Sequence, residues 1–210
     1  MKRVRVLLAD DHTLVAEGLA RLIEQEFELV GKASDGRAAV QLARSLHPDV
    51  VLLDISMPLL NGVEAARQIL SEWPHIKAIF LTMHTDLAYV AEALRAGASG
   101  YILKKSAVSE LSEAIHAAMA GRMYVTPEIA ARLGQHGGAH KPPSPELTPR
   151  QREVLQLIAE GQSAKEIAAQ LSISVKTSEF HRAAILQKLG LRSTAELIRY
   201  ALEHRMVGVS

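Results

Sequence analysis

The chain has 210 residues, a length that suits one large domain or two small ones, each able to bury a core. It contains no cysteine, which excludes disulfide frameworks, zinc–thiolate sites and thiol nucleophiles and fits a reducing compartment. The first apolar stretch ends at Asp10, too soon for a signal sequence, and no later run is long enough to span a bilayer. We therefore expect a cytoplasmic protein with no membrane partner.

The net charge of +1 hides a difference between the two parts of the chain. Residues 1–121 carry 12 Lys and Arg against 15 Asp and Glu, whereas residues 122–210 carry 12 against 8. The C-terminal part is therefore mildly basic, which favours a nucleic-acid partner for that part.

In residues 1–121, short and nearly unbroken apolar runs alternate with segments of helical periodicity. The predicted strands are Val4–Ala9, Glu28–Ala33, Val50–Asp54, Ala78–Thr82 and Gly100–Leu103. The predicted helices are Leu14–Gln25, Arg37–Leu46, Gly62–Trp73, Leu87–Ala96 and Ser109–Ala120. Apolar strands separated by helices indicate a parallel sheet covered on both faces. We predict an α/β fold, a doubly wound, flavodoxin-like (βα)5 domain with strand order 2-1-3-4-5.

Residues 122–145 read as a linker that contains a short helix. Thr126 and Pro127 form a helix start, with a capping hydroxyl before a proline at the first helical position, and the helix is expected to end near Leu133. The stretch from Gly134 to Pro145 is rich in Gly and Pro and has no apolar periodicity.

Residues 146–210 read as an all-α domain of four helices. Thr148-Pro149-Arg150-Gln151 is a capping box that opens the first helix, which ends near Glu160. The second helix, Ala164–Leu171, and the third, Val175–Leu189, are separated by a three-residue turn, the spacing of a helix-turn-helix. The fourth begins at Ser193 or Thr194 and runs to about His204. The predicted core is Leu155, Ile158, Ile167, Leu171, Val175, Ile185, Leu189 and Leu197.

Polar residues of particular kinds stand where the predicted strands end. Asp10 and Asp11 follow the first strand, Asp54 ends the third, Thr82 ends the fourth and Lys104 follows the fifth. Because the carboxyl ends of parallel strands meet at one edge of the sheet, we expect these side chains in one crevice. Carboxylates suit Mg²⁺, whereas a hydroxyl and an ammonium suit phosphoryl oxygens. The sequence thus predicts a magnesium site with Asp54 as the nucleophile that accepts a phosphoryl group.

Residues 3 to about 121 resemble the receiver domain of two-component response regulators. The stretches that carry the resemblance are Leu8-Ala9-Asp10-Asp11-His12, Leu53-Asp54-Ile55-Ser56-Met57-Pro58, Leu81-Thr82-Met83-His84 and Gly100-Tyr101-Ile102-Leu103-Lys104. The resemblance implies that Asp54 is the phosphorylated residue and that a sensor histidine kinase is its partner. It also implies that Asp11 binds Mg²⁺ (or Mn²⁺) directly, Asp10 through water, and that the backbone carbonyl of Ser56 completes the set.

The same resemblance implies a switch. Thr82 and Lys104 would bind the phosphoryl oxygens, and the inward movement of Thr82 would admit the Tyr101 ring from an exposed position. Met83, bulkier than the small residue common at this place, is expected to narrow the approach to Asp54. We hypothesise that His84 shapes water access while the phosphoryl group is lost.

The second part of the chain resembles the LuxR-type DNA-binding domain. The resemblance rests on Leu147–Leu155, Lys165-Glu166-Ile167-Ala168, Ser174-Val175-Lys176-Thr177, His181-Arg182 and Lys188-Leu189-Gly190. It implies that Val175–Leu189 lies in the major groove, where Glu179, Phe180 and Ala183 face base edges. The implied phosphate contacts are Lys165, Lys176, Thr177, Arg182 and Lys188. Ala164 and Ser178 depart from the common Asn and Val of the family.

Together the two resemblances are typical of a NarL/FixJ-family response regulator. The leading interpretation is a transcription factor, not a conventional enzyme, that dimerises when phosphorylated and binds paired DNA half-sites. The receiver would take part only in its own phosphorylation and dephosphorylation. Two alternatives stay open: a free-standing phosphatase or phosphotransferase, although Ser56 stands where its acid-base Asp is expected, and a LuxR-type regulator governed by a small ligand or protein partner.

Overall fold

The structure is a computed structural model that describes residues 3–83, 85–135, 147–203 and 206. The described residues divide into two compact units, one that contains those from 3 to 135 and one that contains those from 147 to 206. His84, residues 136–145 of the predicted linker, the first residue of the predicted second domain (Glu146) and the predicted helix end at His204 lie outside the described residues. Within the described residues, no helix is long and apolar enough to cross a membrane.

The first unit is a parallel sheet with helices between its strands. The strands are β1 (Arg5–Ala9), β2 (Glu28–Ala33), β3 (Val50–Asp54), β4 (Lys77–Thr82), β5 (Gly100–Leu103) and β6 (Tyr124–Val125). The helices are α1 (Thr13–Glu26), α2 (Gly36–Leu46), α3 (Gly62–Glu72), α4 (Leu87–Arg95), α5 (Ala107–Met119) and α6 (Pro127–Gln135). The strand order is β2-β1-β3-β4-β5-β6, which confirms the predicted doubly wound fold and its 2-1-3-4-5 core.

Successive side chains of the central strands belong to alternate faces of the sheet, which explains why both faces are covered. Val6 and Leu8 of β1 belong to one buried cluster, and Leu7 and Ala9 belong to the other. All five residues of β3 are buried. Successive side chains of a strand point to opposite faces, so an unbroken apolar run needs a helix layer on each side.

The first unit continues past Gly121, where the sequence analysis placed its end. Strand β6 pairs in parallel with β5, so that Tyr101 lies opposite Val125. Helix α6 follows, and its Ile129 is fully buried in the same cluster as Tyr101. The segment 122–135 therefore adds a strand and a helix to the first unit. The sequence predicts the helix but not the strand.

The second unit is the predicted set of helices: α7 (Pro149–Ala159), α8 (Ala164–Leu171), α9 (Val175–Leu189) and α10 (Thr194–Glu203). Capping boxes join Thr148 to Gln151 and Ser163 to Glu166, which fixes the starts of α7 and α8. Ser193 caps α10, because its Oγ accepts from the backbone N–H of Glu196.

The core of the second unit contains most of the predicted residues. The predicted members that are buried are Leu155, Ile158, Ile167, Leu171, Ile185 and Leu197. Leu189 packs against this cluster while partly buried. The prediction was wrong for Val175, which is 39% exposed because it is the first residue of α9 and lies at the end of the packed face.

Candidate functional site

The carboxyl ends of the strands bring the predicted polar residues to one edge of the first unit. Asp54 ends β3 and lies in register with Leu81, the residue before Thr82. Thr82 in turn lies opposite Leu103, the residue before Lys104. Asp10 follows β1, which pairs with β3. The four side chains therefore come from strands that are neighbours in the sheet although they are distant in the sequence.

Lys104 joins the two buried carboxylates. Its Nζ lies 2.7 Å from Asp54 Oδ2, to which it donates a hydrogen bond, and 2.7 Å from Asp10 Oδ2. Asp10 and Asp54 are only 3% and 4% exposed, so each charge has lost most of its water. An ammonium shared between two such carboxylates offsets their repulsion.

The electrostatics of Asp54 reflect its burial. Burial raises the pKa of the Asp54 carboxyl above its usual range, an effect that the Lys104 ammonium opposes and the Asp10 carboxylate reinforces. The backbone N–H of Ser56 donates to Asp54 Oδ1 at 3.4 Å and also favours the ionised form. A buried carboxylate whose negative charge is incompletely offset favours the approach of a further cation.

His12 is a member of the site that the sequence analysis did not single out. Its Nδ1 lies 2.8 Å from Asp11 Oδ1, 3.5 Å from Asp10 Oδ1 and 3.8 Å from Asp54 Oδ2. Its backbone N–H donates to Asp10 Oδ1 at 2.9 Å. The signal was present, because His12 directly follows the two aspartates, but adjacency in the sequence does not show in which direction an exposed side chain points.

The donor set fits a divalent cation. Asp10, Asp11, His12 and Asp54 each offer one donor atom, and these atoms all lie within 4.8 Å of one another. Three of the donors are carboxylate oxygens, the ligands that Mg²⁺ and Mn²⁺ prefer. Asp11 is exposed, so one side of the cluster is open to water, which Mg²⁺ retains in its coordination shell.

The loop after Asp54 is fixed by a close backbone contact. The N–H of Gly62 donates to the carbonyl of Ile55 at 3.0 Å, which closes the loop onto the end of β3. A Cβ at Gly62 would lie 1.9 Å from the carbonyl oxygen of Asp54, so no side chain fits there without displacing that backbone. This contact fixes the backbone at the end of β3, from which the Asp54 side chain extends.

The two predicted switch residues are both fully buried. Thr82 and Tyr101 each show 0% exposure. The exposed position expected for the Tyr101 ring is wrong for this structure, because β6 and α6 extend the buried cluster in which the ring lies. Met83, expected to narrow the approach to Asp54, is 69% exposed.

In the second unit, α9 presents most of the predicted DNA-contacting face to solvent. Phe180 is 69% exposed, an unusual position for a large aromatic ring. The other exposed members are Lys165 on α8 and Lys176, Glu179, Arg182, Ala183 and Lys188 on α9. Thr177 is half-buried, and its Oγ1 lies 2.8 Å from the Oγ of Ser174, the cap of the helix.

Two family comparisons match the two units in turn. Residues 6–116 match the response regulator receiver domain, and residues 145–201 match the bacterial regulatory proteins of the luxR family. MctR, a transcriptional regulatory protein of Rhizobium johnstonii, is 39% identical over 208 residues, which cover 98% of this chain and 96% of MctR. LiaR, a transcriptional regulatory protein of Bacillus subtilis, is 39% identical over 209 residues, which cover 97% and 99%.

Solved structures agree with the sequence comparisons. The RcsB response regulator of Salmonella typhimurium is 29% identical with a TM-score of 0.61, and the match covers 96% of this chain and 99% of RcsB. An RcsB–DNA complex matches with 28% identity, a TM-score of 0.61 and coverage of 96% and 98%.

A doubly wound sheet with an acidic crevice and a helix-turn-helix unit together define a response regulator with a DNA-binding output. Within that class, the chain belongs to the NarL/FixJ family, whose members join a receiver domain to a LuxR-type domain. This is a family of DNA-binding transcription regulators and not of conventional enzymes.

Proposed function

We propose that this regulator is switched by phosphorylation of Asp54, with a sensor histidine kinase as the phosphoryl donor. A carboxylate oxygen of Asp54 forms a bond to phosphorus while the bond between phosphorus and the donor breaks, and the leaving group keeps that electron pair. The observation that carries the proposal is the Lys104 ammonium, which lies 2.7 Å from a buried Asp54 oxygen at the edge where the strands end.

The surrounding residues have separate roles in this proposal. Asp11 and Asp54 would hold Mg²⁺ (or Mn²⁺) directly, Asp10 through water, with the backbone carbonyl of Ser56 as a further ligand. The cation supplies charge that offsets the phosphoryl oxygens. Lys104 binds a phosphoryl oxygen by charge and hydrogen bond.

Thr82 and Tyr101 carry the response to phosphorylation. The Thr82 hydroxyl donates to a phosphoryl oxygen and moves toward Asp54. Because Tyr101 is already buried beside the strand that carries Thr82, the change at Tyr101 is a repacking of a buried ring and not its entry from solvent. Receiver autodephosphorylation, in which water attacks the acyl phosphate, returns the chain to its resting state.

The second unit binds double-stranded DNA through α9 in the major groove. Glu179, Phe180 and Ala183 face base edges, where a carboxylate can accept from a cytosine amino group and an apolar side chain can contact a thymine methyl. The residues proposed to contact phosphates are Lys165, Lys176, Thr177, Arg182 and Lys188. An exposed phenylalanine among charged residues supports this assignment.

The phosphorylated chain acts as a homodimer on paired promoter half-sites about one helical turn apart. One solved relative supports this part of the proposal, since its structure contains two RcsB dimers bound to two parallel DNAs. A single second unit of modest positive charge binds weakly, so two copies on one duplex are needed for specific binding.

Incubation with acetyl phosphate and Mg²⁺, followed by mass spectrometry of peptides, tests the phosphorylation. We expect a phosphoryl mass gain on Asp54 that Asp54→Asn abolishes. The matched control is Asp49→Asn, because Asp49 precedes the same strand and accepts from the backbone N–H of Arg5 at the opposite edge of the sheet. A gain that survives Asp54→Asn, or none in the parent, contradicts the proposal.

Selection of bound duplexes from random DNA, with and without phosphorylation, tests the output. We expect enrichment of paired half-sites that depends on an intact Asp54. Enrichment of a single half-site, unaffected by phosphorylation, would instead support a regulator governed by another ligand or partner.

A further inference from the structure

Helix α6 is joined by exposed polar contacts to two loops at the edge of the sheet. Arg132 Nη1 donates to the backbone carbonyl oxygen of Thr85 at 3.2 Å and to its hydroxyl oxygen at 2.9 Å. On the other side, Lys105 Nζ lies 2.6 Å from Glu128 Oε2. Arg132 Nη2 lies 3.8 Å from Glu128 Oε1, which closes the chain of contacts along the helix. We call these four residues the α6 bridge.

The two ends of the α6 bridge rest on the loops that carry the phosphoryl-binding side chains. Thr85 follows Thr82 by three residues, in the loop between β4 and α4. Lys105 is the neighbour of Lys104, in the short 3-10 helix Lys104–Ser106 after β5. Any displacement of Thr82 or Lys104 on binding a phosphoryl group is therefore passed within a few residues to one end of the bridge.

The start of the segment formed by β6 and α6, which we call its root, is held by buried contacts and not by exposed ones. The hydroxyl oxygen of Thr126, which is 2% exposed, accepts from the backbone N–H of Leu103 at 3.1 Å. The same hydroxyl donates to Glu110 Oε2 at 2.6 Å. Ile129 is fully buried one turn further on. By contrast, the bridge side chains of Lys105, Glu128 and Arg132 are 59%, 38% and 46% exposed.

This asymmetry has a mechanical consequence. Exposed ion pairs contribute little to stability, whereas the buried root is costly to undo. Beyond Ile129, the outer part of α6 is exposed except for the partly buried Leu133, which packs against the core of the first unit. This part can therefore change position while Thr126 keeps the segment attached to the end of β5. An element with a fixed root and a weakly held end suits a switch whose two states are close in free energy.

We propose that the β6–α6 segment is the element that reports phosphorylation, and that phosphorylation of Asp54 breaks the α6 bridge and releases the outer turn of α6. Thr82 moves toward the phosphoryl oxygens, and the Lys104 ammonium, already 2.7 Å from Asp54, leaves Asp10 Oδ2 for a phosphoryl oxygen. The loops that hold Thr85 and Lys105 then shift, and the bridge no longer spans them. This inference rests on the phosphorylation proposed above. The inference adds the structural element whose position changes when Asp54 is phosphorylated.

Spin-label distance measurements on the full chain test this inference. The chain has no cysteine, so a variant with Ala131→Cys and Gln41→Cys carries labels at those two places alone. Both positions are exposed, one on α6 and the other on α2. We expect acetyl phosphate with Mg²⁺ to shift or broaden the distance distribution by several ångströms, in proportion to the mass gain on Asp54 measured in the same sample.

Two further variants isolate the bridge itself. Arg132→Gln in the doubly labelled chain removes the charge that contacts both Thr85 and Glu128. The unphosphorylated variant is therefore expected to show the distance distribution of the phosphorylated parent. Arg44→Gln is the matched control, because Arg44 also pairs an exposed guanidinium with a carboxylate on another helix, that of Glu72 at 3.1 Å. It should leave the distances of the resting chain unchanged.

The outcomes separate the two proposals. A mass gain on Asp54 with an unchanged distance distribution overturns this inference and leaves the proposed function intact. Without a mass gain, the proposed function fails and the inference fails with it. A resting distribution in Arg132→Gln that matches the parent also contradicts the inference, because the bridge then does not hold the helix.

Discussion

One ammonium, that of Lys104, lies against two carboxylates that have both lost most of their water. Burial raises the pKa of Asp54, so the folded chain binds a proton at this carboxyl more readily than the unfolded chain. The ionised carboxylate therefore lowers stability at neutral pH, and this cost disappears as the pH falls through the raised folded pKa. The residue proposed as the phosphoryl acceptor therefore also lowers the stability of the fold at neutral pH.

Asp54→Asn is therefore expected to raise the unfolding midpoint at neutral pH in metal-free buffer. The gain should shrink as the pH falls, because the parent carboxyl then becomes neutral as well. Urea unfolding of both chains across the acid range, with a chelator present, measures the difference. Asp49→Asn serves as control and should not raise the midpoint, because it weakens the hydrogen bond from Arg5. An Asp54→Asn midpoint at or below the parent value at neutral pH contradicts the argument.

A second residue-scale prediction concerns Lys176, an exposed residue in the first turn of α9. The plot of log affinity against log salt has a negative slope. If Lys176 neutralises one phosphate, Lys176→Ala makes this slope less steep by about 0.9. The loss of affinity should be similar for specific and unrelated duplexes, because phosphates carry no sequence. Titrations at several salt concentrations measure the slope. Arg44→Ala removes the same charge from the first unit, and an equal change there would exclude a local contact by Lys176.

At the scale of elements, the sequence predicts the regular parts of this molecule well. Unbroken runs such as Val50–Asp54 have the length and composition of a strand buried on both faces, and they are found as strands. Helices α8 and α9 have the predicted bounds because caps mark them: Ser163 and Ser174 at their starts, and Gly190, with φ of +67°, after the end of α9.

The elements that were missed lack such local signals. Strand β6 has two residues, too few for any alternation, and it exists because β5 offers an unpaired edge. The same tertiary contact explains the burial of Tyr101, whose surroundings come from a segment more than 20 residues further along the chain. The His12 side chain likewise approaches a residue distant in the sequence, since its Nδ1 lies 3.8 Å from Asp54 Oδ2 at the end of β3.

Ile129 offers a test of whether residues 122–135 are structural. Its side chain is fully buried, so Ile129→Ala is expected to lower the free energy of unfolding of the first unit by about 2–5 kcal/mol. Met123→Ala is the matched control in the same segment, since Met123 is 51% exposed and its loss should cost less than about 0.5 kcal/mol. Denaturant unfolding measures both. Equal, small effects would indicate that the segment is a linker after all.

At the scale of the whole molecule, the first unit carries the proposed phosphorylation site and the second carries the proposed DNA-binding surface. The strand-end residues of the first unit were predictable because the topology of a doubly wound sheet dictates where they meet. The proposed DNA-contacting face was predicted as a set of side chains on α8 and α9, and most of these side chains are exposed in the structure. The DNA sequence that it reads is not, because specificity depends on geometry between several side chains and bases.

The dimer proposal predicts a dependence on spacing. A duplex with two half-sites about one helical turn apart should bind the phosphorylated chain about 100-fold more tightly than a duplex with one half-site. Changing the spacing by half a helical turn should remove the advantage, because the second copy then faces the wrong side. Fluorescence anisotropy measures these affinities. In Asp54→Asn the ratio is expected to be near one, and a ratio that stays high would separate DNA binding from phosphorylation.

The salt bridge between Lys104 and Asp54 also has a consequence for the newly made protein. The two residues are 50 positions apart in the chain, and Lys104 follows the last strand of the five-stranded core. At usual rates of synthesis of 5–20 residues per second, Asp54 waits about 3–10 seconds for its partner to be made. During that interval the acceptor has neither its ammonium nor a finished crevice. If Asp54 is the phosphoryl acceptor, as proposed above, a nascent chain is a poor substrate for phosphorylation and only a completed receiver is modified.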